Sequence, residues 1–130
     1  MRPKPSAIEL LDVARALLRG DLLGALPEAR RYEALMVANA IAIAGRVLER
    51  GDAPERAELA SLAGLMGAGG SIVPDMTREQ LRVLYASLVD EMRAGKITPG
   101  TEHHRDVYAH LRRMVLDRLR ESNPKALPDG

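Results

Sequence analysis

The chain has no cysteine, no phenylalanine and no tryptophan among its 130 residues, and its aromatic residues are Tyr32, Tyr85 and Tyr108 alone. The lack of cysteine excludes disulfide scaffolds, thiolate metal sites and cysteine nucleophiles together. So few aromatics leave no platform for stacked bases. With 18 acidic residues interspersed among 19 basic ones, the formal net charge is only +1, too little to draw in nucleic acid. Long hydrophobic runs are missing too. The most apolar stretch, 34–45, holds Asn39 as its single polar residue and is far shorter than the roughly 20 positions of a membrane span. The basic start, Met1-Arg2-Pro3-Lys4-Pro5, leads into Glu9 and Asp12 rather than an apolar run, so no secretory leader is expected. A cytoplasmic protein without membrane or nucleic-acid partners is the expectation.

What is present is aliphatic. With 19 Leu and 19 Ala, plus Val, Ile and Met, the core must be built without rings. Alternating strand patterns are scarce, whereas helical spacing recurs five times with punctuation between. The expected helices are 6–19, 27–50, 54–66, 77–94 and 102–121, in one all-α domain spanning 1–130. Ser6-Ala7-Ile8-Glu9 reads as a capping box, and Thr77-Arg78-Glu79-Gln80 as a second one. Gly20 is expected to end the first helix in a left-handed conformation, Asp52 to cap the third, and Gly51 and Gly95 to close the second and fourth. The second helix places Ala34, Ala38, Ala42 and Gly45 on one face, where another helix can come close. Its middle is apolar almost all round, which predicts an up-and-down five-helix bundle packed around it.

Little chemistry is legible. Gly67-Ala68-Gly69-Gly70-Ser71 follows a helix, not a strand, and no lysine comes after it, so it reads as a linker rather than a phosphate cradle. His103, His104 and His110 cluster with Glu102 and Asp106, but His103 and His110 lie two helical turns apart, about 10 Å. One metal ion cannot bridge that distance, and no metal or other cofactor is expected. The five serines include no Gly-x-Ser-x-Gly elbow, so no catalytic residue is assigned. The least ordinary feature is a polar stripe on the second helix formed by Glu28, Tyr32, Asn39, Arg46 and Arg50. Asn39 there either bonds a neighbouring helix and fixes packing, or joins Tyr32 and Arg46 in lining a crevice for a ligand or partner.

Several short segments occur together: Arg2-Pro3 followed by Ser6-x-x-Glu9-Leu10-Leu11, Val37-Ala38-Asn39-Ala40-Ile41-Ala42-Ile43, Arg46-Val47-Leu48-Glu49-Arg50-Gly51, and Leu119-x-x-x-Asn123-Pro124. In this order they resemble a small all-helical bacterial domain family of unknown function. Its members are often encoded beside an aminoglycoside-phosphotransferase-like kinase and an acyl-CoA dehydrogenase. The sequence departs from the family pattern at Leu35, where an arginine one turn before the asparagine is expected. The resemblance transfers no catalytic residue. The scarcity of legible chemistry, the apolar bundle and that implied gene context together lead to the expectation of a non-catalytic accessory protein that binds a phosphotransferase-like or acyl-CoA-dehydrogenase-like enzyme, or a second copy of itself. The alternative is a binder of a small acyl or apolar ligand between helices, with Tyr32 or Arg46 at the polar mouth.

Overall fold

The computed structural model describes residues 4–128. The Arg2-Pro3 pair lies outside the described residues. Among the described residues are five long helices: α1 Ala7–Leu17, α2 Glu28–Arg50, α3 Ala53–Leu65, α4 Thr77–Arg93 and α5 Glu102–Ser122. No strand occurs among the described residues, as the absence of period-two patterning predicts. Contacts group the chain into two compact units. The first runs to Gly51 and includes Glu121–Pro124; the second comprises Asp52–Arg120 and the residues from Lys125 on.

The first unit opens with the expected capping box. The Ser6 backbone N–H donates to Glu9 Oε2 at 2.6 Å and the Glu9 N–H donates to Ser6 Oγ at 3.2 Å. After α1 the backbone does not stop at Gly20. It widens into a π turn, Leu18–Leu22, with Gly20 at φ −85° and ψ −107°, and re-tightens at Leu23–Ala25. The left-handed ending expected at Gly20 is therefore replaced by a kink, with half-buried Leu18 before it and Leu23 after it. Pro27 precedes α2, and Gly51 ends it at φ 61°, a left-handed angle that glycine adopts without a Cβ clash.

Helix α1 lies against the small-residue face of α2. Ala38 is fully buried and Ala34 nearly so, while Ile41, Ala42 and Gly45 are half-buried. The expectation that α2 is surrounded by aliphatic neighbours is overturned. Met36, Val37, Val47 and Leu48 leave 53, 51, 44 and 52% of their surface in water, and Asn39 is exposed. The reason lies in residue size. Alanine supplies five of the twelve positions 34–45, and an alanine-rich surface reads as apolar while offering little to bury beyond one close helix contact.

The second unit has the aliphatic core. Leu59, Leu62, Leu81, Leu88 and Val107 form its buried cluster, with Leu65, Met66, Leu84, Tyr85, Ile97 and Leu111 packed against it. Two helix starts differ from expectation. Asp52 makes no cap and instead pairs with Arg56 at 3.1 Å one turn on. Thr77 makes no capping box either, because Gln80 is drawn into the preceding loop. Its Oε1 accepts from the Val73 N–H at 3.0 Å and its Nε2 donates to the Ser71 carbonyl at 2.8 Å. The start of α5 is capped by Thr101, whose Oγ1 accepts from the His104 N–H at 3.2 Å.

The α1–α2 seam gives a paired prediction. Ala38→Leu overpacks the contact and is expected to lower stability by about 1–3 kcal/mol. Gly45→Ala adds a Cβ that meets nothing within 4 Å and is expected to gain about 0.5–1 kcal/mol from helix propensity. Urea unfolding midpoints measure both, and an unshifted midpoint for Ala38→Leu contradicts the close crossing.

Candidate functional site

The polar stripe read from the sequence does not converge on a cavity. Tyr32 is 72% exposed and Asn39 faces water, so its amide needs no protein partner. Arg46 is partly buried within the first unit, where its Nε–H donates to the Glu121 carbonyl at 2.6 Å. Arg50 pairs with the Glu121 carboxylate at 3.1 Å. Two of the three stripe residues are thus open to solvent and the third holds the end of α5.

The concentrated chemistry lies in the second unit, around a histidine that the sequence suggests only as a metal ligand. His110 of α5 is 3% exposed. Helix α5 is amphipathic, and His110 falls one turn after Val107 on the same buried face, so an imidazole enters an aliphatic core. A buried ring must find partners for both nitrogens or lose their hydration uncompensated. It finds both. His110 Nδ1 lies 2.8 Å from Ser61 Oγ of α3, and Nε2 lies 3.0 Å from the Tyr85 hydroxyl of α4. That hydroxyl is 2.5 Å from Glu58 Oε1, one turn before Ser61 on α3. The Met114 thioether sits 2.9 Å from the same hydroxyl.

These partners fix the direction of every proton. An ionised carboxylate only accepts, so Tyr85 donates its one proton to Glu58. The Tyr85 oxygen then accepts from Nε2–H of His110. With the proton on Nε2, Nδ1 carries the lone pair, and the Ser61 hydroxyl donates to it. The chain runs Ser61 to His110 to Tyr85 to Glu58 without a clash of donors. Arg118 stands 3.7 Å from Glu58, whose side chain is 15% exposed, and Arg113 Nη1 donates to Ser61 Oγ at 3.3 Å. Burial and the Glu58 carboxylate hold the Tyr85 phenol well above its ordinary value, so it stays neutral. His110 is pushed below the ordinary histidine value, first by burial and then by Arg113, with Glu58 opposing.

Ser61 also lines a cleft of about 430 Å³ with Gly64, Leu65, His103, Asp106, Ala109 and Arg113. His103 Nε2 is 3.5 Å from the Glu91 carboxylate. No group of three or more His, Asp or Glu side chains suited to a metal ion occurs among the described residues. No described helix is long and apolar enough to cross a membrane.

The described residues define an all-helical fold with a buried polar network built from α3, α4 and α5. The chain belongs to the family described as a domain of unknown function (DUF6285), whose family model matches residues 24–126. That match takes in Glu58, Ser61, Tyr85 and His110, together with Tyr32, Asn39 and Arg46. No curated protein and no solved structure matches the chain.

The sequence places Tyr85 within the fourth helix but gives no direct sign of its partners. The available signal was the placement of His110 between Val107 and Met114 on a stripe otherwise apolar. Two predictions follow from the network's closure. Tyr85→Phe strips Nε2–H of its acceptor and Glu58 of its donor, and is expected to cost about 1–3 kcal/mol in chemical denaturation. The pH dependence has a definite sign. The unfolded chain protonates this histidine near pH 6.5, while the folded chain resists until a lower pH. Stability contributed by the neutral ring is therefore complete above the unfolded value and falls as pH drops through it toward the folded value. Thermal melts of His110→Gln are expected to show a shallower loss across that window than the wild type.

Proposed function

We propose that this is a partner-binding accessory domain that docks through the first unit. The observation that carries the reading is the apolar surface left by the α1–α2 pair. On α1, Leu10, Val13 and Leu17 are 56, 59 and 55% exposed and fall within about 60° of arc. On α2, Met36, Val37, Val47 and Leu48 are each about half exposed across about 120°. Scattered exposed leucines need no explanation, but stripes repeated at helical spacing mark an interaction surface. The apolar stripe of α2 is bordered by exposed Tyr32 and Asn39, in the manner of an apolar interface centre with a polar rim. Arg46 supports that rim by fixing the end of α5 beside it.

The family resemblance implies the class of partner, a phosphotransferase-like or acyl-CoA-dehydrogenase-like enzyme presenting an apolar helix face of its own. A small acyl ligand is less well supported, since Tyr32 and Asn39 stand in solvent rather than at the mouth of an apolar crevice.

The test is co-purification with each enzyme class, followed by titration at micromolar concentration. Leu17→Lys and Val47→Lys are expected to abolish the complex while shifting stability by no more than about 0.5 kcal/mol, as half-exposed positions tolerate polar side chains. Light scattering of the protein alone reads self-association through the same stripes. A monomer that binds neither enzyme removes the proposal.

A further inference from the structure

We propose that Ser61 is an activated nucleophile, with His110 as its general base, and that the cleft beside it admits a small carboxylic ester. This site lies in the second unit and stands apart from the partner-binding reading. Three features come together here and at no other serine whose contacts have been described. The Ser61 hydroxyl donates to a lone pair on His110 Nδ1 at 2.8 Å, within the range of a nucleophile–base contact. The base is itself held in one tautomer by Tyr85 at 3.0 Å, and Tyr85 by Glu58 at 2.5 Å. The nucleophile opens onto a cleft of about 430 Å³, which falls in the size range of small-molecule sites.

The chemistry closes without any added redox partner. Ser61 Oγ forms a bond to the ester carbonyl carbon as His110 Nδ1 takes the hydroxyl proton. The imidazolium so formed keeps its Nε2–H on Tyr85, and the Glu58 carboxylate behind that hydroxyl compensates the positive charge. Negative charge develops on the former carbonyl oxygen. Arg113, whose Nη1 stands 3.3 Å from Ser61 Oγ, is the cation placed to meet it. The carbon–oxygen bond to the alcohol then breaks and Nδ1–H passes its proton to the departing oxygen, leaving acyl-Ser61. Water, deprotonated by the same nitrogen, attacks the acyl carbon. The free acid leaves and Ser61 recovers its proton.

Gly64 lies one turn after Ser61 on α3 and lines the same cleft; an added Cβ there would meet nothing within 4 Å. His103 and Asp106 line the cleft as well, with His103 partnered by Glu91 at 3.5 Å. A cleft carrying charges of both signs suits a neutral ester better than a strongly charged one.

The experiment treats the intact protein with a fluorophosphonate and, separately, with p-nitrophenyl acetate, and reads adducts by intact mass and peptide mapping. A single adduct on Ser61 is expected, with release of one equivalent of nitrophenol ahead of turnover. Ser61→Ala is expected to abolish the adduct, and His110→Gln to slow its formation by about 100-fold or more. Ser87→Ala, which alters an exposed serine of α4, is expected to leave it unchanged. If His110→Gln does not fold, Tyr85→Phe takes its place, with labelling expected to slow and to change its pH profile. Circular dichroism establishes that each labelled variant is folded. Absence of an adduct on Ser61 in folded wild-type protein at mildly alkaline pH overturns the proposal, as does labelling of Ser61 and Ser87 at equal rates. Either result makes His110 a core histidine with both nitrogens satisfied and nothing more.

Discussion

An imidazole placed in an aliphatic core has two nitrogens to satisfy, and the three helices of the second unit are arranged around that requirement. Leucine packing alone is permissive, because Leu59, Leu62, Leu81 and Leu88 could interdigitate in more than one register at similar cost. His110 removes that freedom. Its ring accepts from α3 and donates to α4, and Tyr85 carries the connection back to Glu58 on α3. A slip of any one helix leaves a buried polar atom unpaired, which costs more than a methylene out of place. The network thus specifies alignment where the hydrophobic cluster supplies most of the stabilisation.

The first unit is organised by the opposite means. Its helix contact is made of small residues, and the fully buried Ala38 marks the closest approach. Close packing of alanines aligns two helices but removes little apolar area from water, and larger side chains on the outer faces remain half exposed. Polar ties act at its end, where Arg46 and Arg50 both engage Glu121. One unit therefore buries its leucines around a polar network, and the other packs through alanines and leaves many of its larger side chains exposed.

Much of this organisation is legible in the sequence, and the gaps have physical causes. Helix positions follow from periodicity and from Gly51 and Gly95, both of which adopt positive φ. The Ser6–Glu9 box forms because its two residues are neighbours in the chain and nothing competes for them. The identical pattern at Thr77 fails because Gln80 has a stronger use in the loop before it. The exposure of α2 departs from its hydropathy because alanine counts as apolar while its small size gives little to bury. Tyr32, Asn39 and Arg46 do share a stripe, but a shared stripe does not determine whether a neighbour covers it. The Ser61–His110–Tyr85–Glu58 chain could not be read from spacing at all. Its members come from three helices, and the only local hint was a histidine on an apolar face.

The lack of tryptophan also has an optical consequence. Tyr32 and Tyr108 are 72 and 64% exposed, while Tyr85 holds its phenol against a carboxylate. A phenol bonded to a carboxylate emits weakly, and no indole is present to collect its excitation. The Tyr85 hydroxyl touches His110 and the Met114 thioether as well as Glu58, so its ring is expected to emit less than the two exposed ones. A rise in near-ultraviolet emission on unfolding then reports the opening of the network as a whole.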